Sequence, residues 1–127
     1  MYNETVMDHF EHPRNVGDME DATVVADVGS PECGDRTKLY LKIEDNVIVD
    51  VSFKTLGCAA AIASSSKATE MIKGKTLEEA WALTNMDVVE ALGGLPEPKI
   101  HCSVLAEGAI REAINTYRKD QGLVPWE

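Results

Sequence analysis

The spacing of hydrophobic residues changes after Phe53, and this change restricts the folds that the chain can adopt. Apolar and charged residues alternate over Lys38–Glu44, and the alternation is repeated over Val47–Phe53 after the turn residues Asp45-Asn46. A period of two is typical of half-buried strands, and a short polar turn between two of them predicts an antiparallel hairpin. After Phe53 the apolar residues recur at helical spacing. Helices are therefore expected to cover one face of the hairpin.

The remaining segments predict a third strand and several helices. Thr23–Val28 is rich in β-branched residues and is followed by Gly-Ser-Pro, which predicts a strand. Capping residues and apolar residues at helical spacing predict helices over Asn3–Phe10, Ala59–Ile72, Thr76–Leu83, Asn85–Leu92 and Ser103–Arg118. The predicted fold is α+β: a short N-terminal helix, a three-stranded antiparallel sheet, and helices packed on one face. We expect one domain over residues 1–127.

Composition and charge exclude several classes of partner. The 127 residues include 22 Asp and Glu but only 12 Lys and Arg, giving a net charge of -10. Such a chain repels phosphate backbones and anionic lipid, so we predict no nucleic-acid or membrane partner. No apolar run approaches the ~20 residues of a membrane-spanning helix. Glu4 and Asp8 make the first ten residues unlike a signal or transit peptide, so a cytoplasmic protein is expected.

Three cysteines lie next to turns or helix starts, and two of them have a polar neighbour. Cys33 stands in a turn two residues before Asp35, Cys58 at a strand-to-helix junction, and Cys102 directly after His101 at the start of the last helix. A helix N-terminus favours a thiolate at Cys58 and Cys102. An odd number of cysteines argues against a disulfide framework. Thiolates bind soft metals, which predicts a metal site. The spacings between the cysteines match no zinc ribbon or zinc finger, and three unrelated structural thiols are the alternative.

Other polar and aromatic residues give weaker signals. His9 and His12 are three apart on the first helix with no third ligand near them, which predicts surface residues. The serines of Ser64–Ser66 have no adjacent base, and small residues of this kind let a helix approach a sheet closely. We expect Trp81 and Trp126 to be packing and tail residues rather than ligand platforms.

The order of the motifs resembles the iron–sulfur cluster assembly scaffold family, that is, IscU and the amino-terminal domain of NifU. The segments that carry the resemblance are Tyr2–Gly17, Cys33–Asp35, Lys54–Ser66 and Lys99–Glu107. The resemblance implies a carrier rather than an enzyme. On it a transient [2Fe–2S] cluster is built from iron and from the sulfur that a cysteine desulfurase delivers, and is then passed to acceptor apoproteins. The implied cluster ligands are Cys33, Cys58 and Cys102, with Asp35 or His101 as the fourth.

The resemblance also implies roles for single residues and partners. Cys102 is the expected acceptor of persulfide sulfur, Asp35 is expected to set how easily the cluster leaves, and electron donors are expected partners. Zinc is an acceptable occupant of the cluster-free site. Whether a cluster bridges copies of the chain in a homo-oligomer stays open. The family's chaperone-binding segment reads Leu-Pro-Pro-Val-Lys, whereas this chain has Leu95-Pro96-Glu97-Pro98-Lys99, and the added charge disfavours an Hsp70-type chaperone.

Two alternative functions use the same residues. The first is a zinc-dependent, persulfide-accepting sulfurtransferase of the SufU type. Those relatives carry an insertion between the second and third cysteines and lack the histidine before the third, whereas this chain is compact from Cys58 to Cys102 and has His101. The second is a structural zinc module, which needs a closed four-ligand site whose loss unfolds the protein. The scaffold is the favoured prediction.

Overall fold

A sheet of three strands and a set of helices make up the computed structural model, which describes residues 2–30 and 34–127. The elements in chain order are α1 (Glu4–Glu11), β1 (Val24–Ser30), β2 (Asp35–Glu44), β3 (Val47–Leu56), α2 (Ala59–Ile72), α3 (Leu77–Ala82), α4 (Asn85–Ala91), a 3-10 helix (Glu97–Cys102) and α5 (Ser103–Asp120). The predicted α+β class and the predicted order of elements are confirmed.

The strands form one antiparallel sheet in the order β1-β2-β3. Asp45 and Asn46 make the turn of the β2–β3 hairpin with φ of 52° and 66°. Positive φ at both central residues defines the type I′ turn, whose twist suits a two-residue hairpin. The register pairs Leu39 with Phe53, and both side chains are buried on the face that the helices cover. The alternation in the sequence therefore identified the correct face.

Both hairpin strands extend further than predicted at the end away from the turn, to Asp35 and Leu56. The extra rungs include Thr37 paired with Thr55, whose hydroxyl oxygens lie 2.8 Å apart. Thr37 and Asp35 are both buried. The row of inward-facing residues on β2 therefore continues past Leu39 to the start of the strand, with polar instead of apolar side chains. A hydrophobic pattern cannot detect such rungs. This extension places the side chain of Asp35 on the inward-facing side of the sheet's end.

Helices α2 and α5 pack on the sheet, and α1 packs on α2. Nine of the 14 residues of α2 are buried, and most of these are alanine or serine, including all of Ser64–Ser66. Small side chains allow a close approach between helix and sheet. The predicted reason for the serine run is therefore consistent with the packing.

His9 is not a surface residue, so that prediction was wrong. Its side chain is 3% exposed, and its Nδ1 lies 2.7 Å from Ser66 Oγ on α2. The same hydroxyl accepts a hydrogen bond from the backbone N–H of Arg14, and His9 Nε2 lies 3.4 Å from a Glu70 carboxylate oxygen. Burial lowers the pKa of His9, and the nearby Arg14 charge lowers it further. His12 is exposed, as predicted.

The proline-containing link before the last helix is also not extended throughout. A 3-10 helix begins at Glu97 and continues into α5, and the backbone N–H of Lys99 donates to the Pro96 carbonyl at 2.7 Å. Pro98 lies in the first turn of this helix, where its missing N–H leaves no helical hydrogen bond unmade. Proline therefore starts the helical backbone that carries His101 and Cys102.

Trp81 and Trp126 pack against each other, as predicted for a packing and a tail residue. Their rings meet edge to face with centroids 5.4 Å apart. The Arg111 guanidinium lies over the Trp81 ring at 5.2 Å, and the Arg118 guanidinium over the Trp126 ring at 4.4 Å. This stack holds the last residues of the chain against α3 and α5.

Candidate metal centre

Three residues from distant parts of the chain bring metal-binding atoms together. A carboxylate oxygen of Asp35 and the Sγ atoms of Cys58 and Cys102 all lie within 4.8 Å of one another. Asp35 is the first residue of β2, Cys58 is the residue directly before α2, and Cys102 joins the 3-10 helix to α5. The open end of the hairpin and two helix junctions therefore form the site.

Asp35 reaches the site because a glycine stands opposite it. The register pairs Arg36 with Leu56, and one rung further Asp35 lies against Gly57. A Cβ atom on Gly57 would lie 2.6 Å from Asp35 Oδ1 and 2.7 Å from its Cγ. Any side chain at this position would displace the carboxylate. The glycine before Cys58 is thus required for close approach, and no unusual φ is involved.

Cys58 stands at the N-cap of α2 but does not cap the helix with its side chain. Its Sγ instead lies 3.5 Å from Cys102 Sγ and 3.9 Å from Asp35 Oδ2. Ala60 and Ala61, in the first turn of α2, pack against Cys102 and exclude water from that side. The small residues that follow Cys58 therefore form an apolar wall behind the sulfur pair.

Cys102 is buried, with 4% exposure, whereas His101 is exposed. The His101 Nε2 atom lies 3.8 Å from Cys102 Sγ, but His101 is outside the group whose ligand atoms all lie within 4.8 Å. The backbone N–H of Ser103 donates to the carbonyls of Ile100 and His101. Cys102 therefore lies at the start of α5, as predicted, but the Ser103 amide already bonds within the 3-10 helix and is not available to the Cys102 sulfur.

The donor set suits a metal with affinity for sulfur. A tetrahedral ion with metal–sulfur bonds of about 2.3 Å places its sulfur ligands about 3.8 Å apart. The observed separation of 3.5 Å between Cys58 Sγ and Cys102 Sγ is close to that value, and it is longer than a disulfide bond of about 2.05 Å. Two thiolates and a carboxylate fit zinc or iron. Cys33, the third predicted cysteine, lies outside the described residues.

Gly57 was missed by the sequence analysis, although a signal for it exists. A glycine directly before a cysteine at the end of a strand often marks a close approach of another group. The identity of that group depends on the register of β2 against β3, which the alternating residues fix only as far as Leu39 and Phe53. Extending the register by two further inward-facing positions would have identified the Asp35 contact.

The fold and site define a small α+β domain with a candidate cysteine–aspartate metal centre at one end of its sheet, and known proteins resemble this chain in sequence and fold. The family model described as the NifU-like N terminal domain matches residues 1–123. The iron–sulfur cluster assembly scaffold protein IscU 1 of Archaeoglobus fulgidus is 56% identical over 124 residues, covering 98% of this chain and 81% of the relative. The corresponding IscU of Haemophilus influenzae is 53% identical, covering 95% and 98%.

A solved structure agrees with these sequence matches. The structure of an iron–sulfur cluster assembly scaffold protein for the SUF system, from Fervidobacterium islandicum, superposes with a TM-score of 0.71 and 29% identity, covering 89% of this chain and 96% of that one. The chain belongs to the family of NifU-like N-terminal domains. Within residues 2–30 and 34–127, no helix combines the length and the apolar character needed to cross a membrane.

Proposed function

We propose that this chain is a scaffold on which a transient [2Fe–2S] cluster is assembled from iron and sulfur and then passed to acceptor apoproteins. The observation that carries the proposal is the meeting of Asp35, Cys58 and Cys102 within 4.8 Å, in a chain whose relatives are named as cluster assembly scaffolds. The chain acts as a carrier, and the cluster is its cargo. We further propose one domain over residues 1–127 that works in the cytoplasm.

The proposed ligands are Cys33, Cys58 and Cys102, with Asp35 or His101 as the fourth. A stable cluster normally has four thiolates. Oxygen and imidazole bind such iron more weakly, so a ligand set with three thiolates holds the cluster loosely enough for it to leave. The position of the Asp35 carboxylate, 3.9 Å from Cys58 Sγ, supports a role at this weak point. Asp35→Ala is expected to slow cluster loss, and faster loss would mean that the cluster needs Asp35 as a ligand.

Cys102 is the proposed acceptor of persulfide sulfur from a cysteine desulfurase. The His101 ring, with its Nε2 3.8 Å from Cys102 Sγ, and the Cys58 thiol, 3.5 Å away, support this assignment because they place an imidazole and a second sulfur beside the proposed acceptor. Electron donors and acceptor apoproteins are the other proposed partners. Glu97, which adds a charge and starts a 3-10 helix, disfavours an Hsp70-type chaperone. Cys102→Ser is expected to abolish sulfur loading, and unchanged loading would contradict the assignment.

A zinc-dependent sulfurtransferase of the SufU type is the second candidate. Two observations favour it: the structural neighbour from a SUF system and a donor set that zinc also accepts. Zinc in the purified protein would therefore not decide between the two functions. The presence of His101 before Cys102 supports the scaffold.

Anaerobic reconstitution separates these functions. The protein is incubated with iron, cysteine and a cysteine desulfurase, the cluster is followed by visible absorption, and its transfer to an apo-ferredoxin is measured. The scaffold proposal requires a cluster that forms and moves to the ferredoxin. If zinc binds tightly, sulfur is accepted, and no cluster forms or moves, the sulfurtransferase is the correct function.

A further inference from the structure

The two cysteine sulfurs of the site are in contact, and this contact bears on how sulfide is made. Sulfur arrives on a persulfide in the formal oxidation state of zero, whereas a cluster contains sulfide, so two electrons must be added. We propose that Cys58 is the resolving thiol, which attacks the Cys102 persulfide and releases sulfide. This inference rests on the proposed function, because it requires the persulfide on Cys102.

The geometry favours Cys58 over a reductant from solution. Cys58 Sγ lies 3.5 Å from Cys102 Sγ, within the range of a near-attack arrangement of about 3–3.5 Å. Cys102 is 4% exposed and is packed against Ala60 and Ala61, so little of it faces thiols in solution, whereas Cys58 is in contact with it throughout. Cys58 is half-buried and already touches Cys102 Sγ.

The Cys58 side chain is also available for the reaction. It stands at the N-cap of α2, where a side chain usually accepts a hydrogen bond from the helix, but it makes no capping bond there. Its Sγ points to Cys102 and Asp35 instead. Attack at Cys102 Sγ therefore breaks no hydrogen bond that stabilises α2.

The step is balanced without another reagent. Cys58 Sγ attacks Cys102 Sγ, and a bond forms between these two atoms. The bond from Cys102 Sγ to the outer sulfur breaks, and the outer sulfur leaves with the electron pair. It takes up the thiol proton of Cys58, so the products are hydrogen sulfide and a Cys58–Cys102 disulfide. The sulfurs of Cys58 and Cys102 each give up one electron on forming the disulfide, and the outer sulfur gains both and leaves as sulfide. A dithiol reductant must reduce the disulfide before a second cycle.

The test loads the protein with sulfur in the absence of iron and added reductant. The full chain is incubated anaerobically with a cysteine desulfurase and one equivalent of cysteine that carries a radioactive sulfur label. Thiols are then blocked with N-ethylmaleimide, labelled sulfide is counted, and peptides are mapped by mass spectrometry. We expect labelled sulfide together with a disulfide between Cys58 and Cys102.

Two variants sharpen the result. In Cys58→Ser, we expect the label to remain as a persulfide on Cys102 and sulfide release to fall roughly tenfold or more, since the contact thiol is gone and no reductant has been added. In Cys33→Ser, the Cys58–Cys102 disulfide is the one intramolecular disulfide that remains available, so its presence there assigns sulfide release to this pair. If Cys58→Ser does not fold, the mapping of the unaltered protein decides by itself.

The other outcomes contradict the inference in different ways. A stable persulfide on Cys102 of the unaltered protein, with no disulfide, overturns the role of Cys58 and leaves the acceptor role of Cys102 intact. Label transferred to Cys58, or a disulfide that joins Cys33 to Cys102, also overturns the role of Cys58 as resolving thiol. A protein that takes up no label overturns the acceptor role as well.

Discussion

Gly57→Ala is expected to weaken metal binding by displacing a ligand. The added Cβ would lie 2.7 Å from Asp35 Cγ, whereas carbon atoms in ordinary contact lie about 3.5 Å or more apart. The carboxylate must therefore move by roughly 0.8 Å. The φ of Gly57 lies outside the left-handed region, so alanine adds no backbone strain. The displaced group is the Asp35 side chain, which lies between β2 and the start of α2.

The expected loss of Co²⁺ affinity is roughly 10–100-fold, the range seen when groups that hold metal ligands in place are altered. This corresponds to about 1.4–2.7 kcal/mol of binding free energy. Affinity is measured anaerobically from the absorption of the cobalt–thiolate complex, with Zn²⁺ as competitor. Gly108→Ala is the matched control, because a Cβ at Gly108 meets no atom within 4 Å.

A double-variant experiment tests the cause. In an Asp35→Ala background the carboxylate is gone, and of the three atoms nearest the new methyl group the Cβ of residue 35, at 3.1 Å, remains. Gly57→Ala should then cause little further loss of affinity. An equal loss in both backgrounds, or no loss in the unaltered background, refutes the displacement of Asp35 as the mechanism.

Three further predictions concern stability. The pKa of His9 in the folded protein lies below its unfolded value of about 6.5, so the unfolded chain binds more protons. The free energy of unfolding should therefore fall as the pH drops below about 6.5, by at most ~1.4 kcal/mol per pH unit. Urea titrations from pH 5.5 to 7.5 should show a smaller slope for His9→Gln than for the His12→Gln control; equal slopes exclude His9 as the cause. Thr76→Ala removes the Glu79 N–H partner of a capping box and should cost about 1 kcal/mol in thermal unfolding, whereas Thr76→Ser should not. Trp126→Ala should cost about 1–2 kcal/mol through the lost ring and guanidinium contacts, and an unchanged melting temperature would contradict that estimate.

Local patterns predicted the parts of the fold in which neighbouring residues determine the structure. The alternation around Asp45-Asn46 predicted the hairpin and its buried face, and Thr76 with Glu79 predicted a helix start that has both capping hydrogen bonds. The positions of Cys58 and Cys102 at helix junctions were also predicted. In each case the interaction joins residues close together in the sequence.

The missed features depend on residues far apart in the chain. His9 lies in the contact between α1 and α2, where its ring is hydrogen-bonded to Ser66, 57 residues away in the sequence. Asp35 enters the site because the hairpin continues beyond its apolar rungs through the Thr37–Thr55 and Arg36–Leu56 pairs, which brings it against Gly57. The 3-10 helix is a local feature that was missed for a different reason, because proline suits both extended segments and the first turn of a helix.

The close packing of α2 on the sheet has a consequence for the evolution of the protein. Nine of its 14 residues are buried, and their small size sets how near the helix lies to β3. A larger residue such as valine at Ala63 would raise the helix and carry Cys58 away from Cys102 with it. Substitutions beneath this helix are therefore expected to alter the distance between the Cys58 and Cys102 sulfurs, so the packing of the interior limits how the metal centre can change.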